Sequence, residues 1–292
     1  MAGRDSEGAL YVLAGGALWG TIGVFVLVMD RMGSTAELTG FLRMAFAFVI
    51  LLIGTVWQFG WQSFRVDRRT LLACALLGLI CQGIYNVFYN KAIVEIGITL
   101  SAVLLNLAPL CTMISSRILF GEVIRMRKVA AMALCMAGCA LTVTGGELSL
   151  SGVSLFGLLM AAGSGVTYGM TSVFGEMAGN RANVWVISTY SYLFAAVFLA
   201  VFTDPFSGGL PSLSISVVGF LYALIPTAWA YLLYYKGVQK ITENSRVPVI
   251  ASVETVVAAL LGIFLFGEAL GAVHILGIAM VMGSIGLMNG KG

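Results

Sequence analysis

Two charged residues stand where charge is costly. Arg43 in FLRMAF and Glu254 in SVETVV each lie eight or nine residues inside a long apolar run. A guanidinium in such a place can grip a carboxylate through two parallel hydrogen bonds, and a carboxyl group there can take up and release a proton away from bulk water. Arg43 also has two plainer explanations, snorkelling to an interface or pairing with a backbone carbonyl; Glu254 could instead cap a helix or pair within a bundle. Two clusters combine aromatic and amide groups: Tyr85, Asn86, Phe88, Tyr89 and Asn90, then Trp229, Tyr231, Tyr234 and Tyr235. Tyr85/Tyr89 and Tyr231/Tyr235 are four apart, so each pair shares a helix face and could form an amphipathic pocket wall. Tyr85, Asn86 and Trp229 lie deeper and are expected in a cavity; Tyr234 and Tyr235, toward a run's end, are expected in an interfacial belt. Trp19 between the glycines of GALWG and Asn106 ahead of Pro109 join the candidates.

Other chemistry lacks its parts. All five cysteines fall in apolar runs, and Cys135 and Cys139, one helical turn apart, have no histidine or acidic neighbour, so they read as packing residues. No metal site and no cofactor is expected. The single histidine, His274, sits near the outer end of the last run, and neither G-x-S-x-G nor H-E-x-x-H occurs. An intramembrane enzyme is therefore the least favoured reading, and no nucleic-acid partner is expected.

The elements that must position these residues follow from composition. The chain of 292 residues is 60% hydrophobic and 10% charged, against about 25% charged in soluble domains. Water could not solvate such a surface, so the chain is read as a polytopic membrane protein. A crossing helix needs about 20 mostly apolar residues, and ten such runs occur: 8–29, 35–57, 70–90, 95–117, 128–145, 153–175, 183–203, 212–236, 246–266 and 270–289. None shows the alternation of a barrel strand. The first is too long for a signal peptide and is taken as the first crossing. On this count Glu254 lies about 12 Å deep. With the N-terminus inside, thirteen of the sixteen Lys and Arg residues fall on the cytoplasmic side, as the positive-inside rule requires. Both termini are thus expected in the cytoplasm.

The chain also repeats itself. LFGE occurs at 119–122 and 265–268; Lys91 precedes the first glutamate by 31 positions and Lys236 the second by 32. Gly16-Ala-Leu-Trp-Gly20 matches Gly165-Val-Thr-Tyr-Gly169. Gly16/Gly20 and Gly165/Gly169 are spaced for close helix packing. Residues 1–150 and 151–292 read as two five-helix units within one transmembrane domain. An odd number of crossings inserts the second unit upside down. Such inverted repeats mark secondary transporters, whose halves expose a midplane site alternately to the two faces.

In its ten helices, doubled five-helix unit and Gly-Glu step after the fourth helix of each, the chain resembles the drug/metabolite transporter superfamily, and within it the EamA-type members. Ala108-Pro109 through Gly121-Glu122 resembles the first-half "Pro-x…GE" pattern. Glu254-Thr255 through Gly267-Glu268 resembles the "Glu-Pro…GE" pattern, with Thr255 in the proline's place and Pro248 two turns earlier. Arg43 matches a basic residue of the family's second helix. Length and overall character resemble the YddG-type amino-acid exporters of bacteria. The resemblance implies a secondary transporter in a bacterial inner membrane that exports amino acids or similar small amphipathic metabolites. Multidrug or other metabolite efflux is the alternative; a nucleotide-sugar carrier ranks lower, since Arg43 is the only cation available to the cavity. Trp19, Arg43, Tyr85, Asn86, Tyr89, Asn106, Trp229 and Tyr231 are the expected binding residues, Glu254 the expected proton carrier, and Pro109 and Pro226 the expected hinges.

Overall fold

The structure is a computed structural model and describes residues 2–146, 154–179, 182–266 and 271–289. Gly267 and Glu268 of the second LFGE lie outside them. The described residues are helical and contain no strand. Among the described residues ten apolar helical segments follow one another: α1 (Arg4–Arg31), α2 (Ala36–Phe59), α3 (Arg68–Ile93), α4 (Leu100–Phe120), α5 (Met126–Thr144), α6 (Leu155–Gly179), α7 (Val184–Phe202), α8 (Leu213–Val238), α9 (Asn244–Gly262) and α10 (Ala272–Asn289); α3 passes into α4 through the unbroken helix Tyr85–Leu105, where the apolar runs predict a loop after Lys91. Eight are both long and apolar enough to cross a membrane; α10 is apolar but shorter. α6 is long but carries Gly163, Ser164, Gly165, Thr167 and Gly169 in its middle. It tolerates them because they face protein: Ser164 and Thr167 are buried and donate to their own helix at Ala161 O and Gly163 O.

Local signals start and stop the rods. The hydroxyl of Thr35 and the carboxylate of Asp67 accept the backbone N–H groups of Leu38 and Thr70 and so cap α2 and α3. Gly121, with φ of 70°, supplies the left-handed residue that ends α4. Trp57, Leu10 and Val201 are 90%, 66% and 69% exposed within the rods. Side chains of that kind belong in hydrocarbon, where every backbone group is already paired within its helix.

Packing crosses between the two sets of five. α5 lies along α10 and α2 along α7; α1 rests against α8 and α9 just as α6 rests against α3 and α4. Exchanging the halves leaves this pattern unchanged. Its direction is fixed at the ends. Glu122, after α4, accepts from the backbone and hydroxyl of Ser245 at the start of α9. Arg127, at the start of α5, donates from Nε to Leu287 O near the end of α10 at 2.8 Å. Corresponding helices therefore run antiparallel, and the repeat is inverted. The glycine pairs permit close approaches: a Cβ on Gly16 or Gly20 would lie 2.7–2.8 Å from backbone oxygens of α9, and one on Gly165 or Gly169 2.6–2.8 Å from those of α4.

Candidate functional site

Each half contributes one broken helix. α4 is interrupted at Asn106 and Leu107, whose N–H groups fall back to three-residue hydrogen bonds with Val103 O and Leu104 O. Pro109 stands in the first turn of the resumed helix, where its missing N–H leaves nothing unpaired. α9 is interrupted at Ser252. Asn106 and Ser252 each precede the glutamate of their LFGE by sixteen positions, so the breaks correspond. The second forms without a proline at Thr255: Ser252 Oγ donates to Val249 O at 2.6 Å and competes with the regular ladder. Between the breaks lies a cavity of about 20 Å³ lined by Asn106, Pro109, Tyr168, Tyr234, Ser252 and Glu254, room for a single water. The Tyr168 hydroxyl lies 3.1 and 3.3 Å from the two oxygens of Glu254 and donates to the carboxylate. Asn106 turns its amide onto Ala102 O at 2.8 Å.

The second pair of irregularities is wider. Leu77–Ile84 in α3 and Leu224–Trp229 in α8 are π-helical, a geometry frequent at functional sites. Gln82 and Thr227 each precede the matching lysine, Lys91 or Lys236, by nine positions; both are buried, at 1% and 0% exposure. Thr227 Oγ1 donates to Tyr222 O five residues back, the spacing of the widened turn, and accepts from Arg43 Nε at 2.9 Å. Arg43 is 6% exposed and does not snorkel. Its guanidinium lies 5.0 Å from the Tyr222 ring centre and has no ion-pair partner among the described residues.

Trp19 joins the two places. Its ring is 4.7 Å from Tyr231, 4.8 Å from Tyr234 and 6.1 Å from Tyr168. Tyr85 stacks on Tyr168 at 5.5 Å and on Tyr89 at 5.7 Å. The Tyr231 hydroxyl donates to Gln82 Oε1 at 3.4 Å, and its ring meets Tyr192 edge-on. Trp19 Nε1, Gln82 Nε2 and Tyr192 Oη are buried without a hydrogen-bond partner among the described residues.

Several expectations need correction. Trp229 is 62% exposed and lines an outward groove with Trp57 and Trp185 rather than the cavity; the wide turn that ends at Trp229 points Thr227 and Tyr231 inward and leaves this ring outside. Tyr234 and Tyr235 are 3% and 2% exposed and belong to the core beside Trp19, not to an interfacial belt. Asn86 lines a separate open pocket of about 450 Å³ with Glu37, Asn90 and Lys91. Pro226 lies inside the π-helical turn itself. Gln82, Tyr168, Tyr192, Tyr222 and Thr227 were not among the expected residues. A lone amide in an apolar run marks Gln82, its register with Gln82 marks Thr227, and its register with Trp19 marks Tyr168; Tyr192 and Tyr222 carry no signal in sequence beyond being polar.

The model of the EamA-like transporter family matches this chain twice, over residues 6–144 and 155–290. An uncharacterized transporter of Archaeoglobus fulgidus is 29% identical over 287 residues, covering 97% of this chain and 95% of that one. The uncharacterized transporter YwfM of Bacillus subtilis is 24% identical, covering 94% and 90%. A solved crystal structure superposes with a TM-score of 0.81 at 18% identity, covering 96% of each chain, a likeness of fold. Two copies of one family unit, ten antiparallel rods and paired helix breaks agree: the chain belongs to the EamA-like transporter family and is an integral membrane transporter.

Proposed function

We propose that this transporter exports amino acids or similar small amphipathic metabolites by alternating access, its halves at 1–150 and 151–292 rocking about the site around Trp19. The reading rests on Arg43. A buried guanidinium without a counter-charge forfeits several kcal/mol of solvation, and neither Thr227 nor the Tyr222 ring supplies the missing charge. A substrate carboxylate does, in the bidentate geometry that suits it. Trp19, Tyr85, Tyr89 and Tyr231 provide amphipathic walls, the breaks at Asn106 and Ser252 correspond in the two halves as in the discontinuous helices of other carriers, and Glu254 carries the coupled proton. The bias of Lys and Arg toward one face supports cytoplasmic termini and a bacterial inner membrane.

Purified protein in proteoliposomes, offered a panel of labelled amino acids with and without an imposed pH gradient, tests this. Saturable uptake is expected, at least 10-fold weaker in Arg43→Gln, unchanged in Trp229→Ala, and indifferent to the gradient in Glu254→Gln. Saturable uptake of uncharged solutes that ignores Arg43→Gln would refute it.

A further inference from the structure

The groove on which Trp229 opens lies where α2, α7 and α8 meet and measures about 460 Å³. Along α2 it runs from Ile50 to Gln58, about 12 Å of helix, close to one leaflet of a hydrocarbon core about 30 Å thick. Gly54 lets the Trp185 ring press on α2, since a Cβ there would lie 2.6 Å from it. The hydroxyls of Thr55 and Thr189 share a hydrogen bond at 3.1 Å and close α2 onto α7. The repeat places a counterpart where α2, α3 and α7 meet, the pocket that Asn86 lines. Val87 there stands for Leu232 here, each four positions before the matching lysine. That counterpart carries Glu37, Asn90 and Lys91, whereas this groove carries Trp57, Trp185 and Trp229. Its tryptophans are therefore particular to this place and not imposed by the duplicated fold.

One end of the groove is basic. Beyond α2, Phe59 lies 6.4 Å from Trp185 and Phe64 lies 5.7 Å from Tyr190, whose hydroxyl donates to Phe64 O at 2.9 Å. These contacts tie the segment to α7 and bring the exposed Arg65, Arg68 and Arg69 to the end marked by Trp57 and Trp185. The three form no ion pair among the described residues. Asp67, the acid between them, accepts from the N–H and hydroxyl of Thr70. Tryptophan rings suit the boundary between chain and headgroup, and guanidinium groups suit a phosphate.

We propose that this groove holds one anionic phospholipid, its acyl chain between α2, α7 and α8 and its phosphate at Arg65, Arg68 and Arg69. In the orientation proposed above the lipid belongs to the cytoplasmic leaflet. The chain rests on Ala228 and Trp229, the outside of the wide turn whose inside presents Thr227 to Arg43. The site is separate from the one around Trp19 and does not depend on what is transported.

Phosphatidylglycerol and phosphatidylcholine with brominated chains, which quench a neighbouring tryptophan, test this on the full chain in phosphatidylcholine vesicles. The Trp229 signal is the difference between the parent and Trp229→Phe. Brominated phosphatidylglycerol is expected to quench it more strongly than brominated phosphatidylcholine at the same mole fraction. Each of Arg65→Gln, Arg68→Gln and Arg69→Gln should lower that preference about 5-fold, and the triple change should abolish it. A reporter on a bilayer-facing residue elsewhere, Phe264→Trp in the Trp229→Phe background, should be quenched alike by both lipids; Phe264 is 80% exposed. Equal quenching of Trp229 by the two lipids means boundary lipid only and overturns the proposal. A preference that survives the triple change, or is as strong at Phe264→Trp, overturns it too. The unaltered chain supplies a check that needs no variant. Native mass spectrometry from detergent should find one phosphatidylglycerol retained in preference to phosphatidylcholine, and retention of neither, or of both equally, also overturns it.

Discussion

Glu122 closes α4 on α9, and the strength of that closure can be worked out. Its side chain is 11% exposed and its Oε1 accepts from Asn244 N at 2.5 Å. Its Oε2 accepts from Ser245 N and Oγ and lies 3.4 Å from Lys128 Nζ. Glu122→Ala strands two backbone N–H groups at the start of α9 and removes one of two carboxylates from Lys128, whose side chain is 7% exposed. Breaking a buried ion pair from one side costs about 3–5 kcal/mol. Lys128 retains Glu243 at 3.2 Å, so the lower end, about 3 kcal/mol, is expected. Glu122→Gln keeps an acceptor and loses only charge, at about 1–2 kcal/mol. At about 2–4 °C per kcal/mol, the alanine variant should melt about 6–12 °C lower in detergent. The midpoint is measured by the loss of the monodisperse peak after heating. Adding Lys128→Met to each variant isolates the ion pair, whose coupling should be lost in both. An alanine midpoint within about 2 °C of the parent, or a glutamine variant as damaged as the alanine one, would refute this account of the junction.

Two other expectations come from packing and direction. Gly169→Val places a Cβ 2.6 Å from Ala108 O, and overpacking of this kind costs about 1–3 kcal/mol. Gly286→Ala, with nothing within 4 Å, should leave the same heating assay unmoved, and equal losses in both would contradict the contact. Single cysteines at 91 and 204 should react with an impermeant thiol reagent on intact cells, and those at 127 and 243 only after permeabilisation. The opposite result reverses the orientation, and reaction of all four from one side refutes the inverted repeat.

Much of the architecture was legible because hydropathy and parity are properties of the chain itself. Apolar runs of membrane length announce the rods, and the spacing of LFGE from Lys91 and Lys236 announces the doubled unit. An odd number of crossings permits only an inverted second half. Arg43 and Glu254 were visible for the same reason, as charges at a depth where charge needs a purpose. The direction in which a ring points was not legible, because each α-to-π transition rotates the residues beyond it about the helix axis. Trp229 and Tyr231, two residues apart, must face opposite sides of their helix, but which of the two faces Gln82 and which the outer surface depends on the turn before them. Tyr168 and Glu254, 86 positions apart, meet because glycines let α1 and α6 press against the broken helices. Sequence alone determined the number, alternation and duplication of the helices, since transfer into lipid acts on each segment separately. Tertiary structure decided which polar groups share a site, since that depends on contacts between segments distant in the chain.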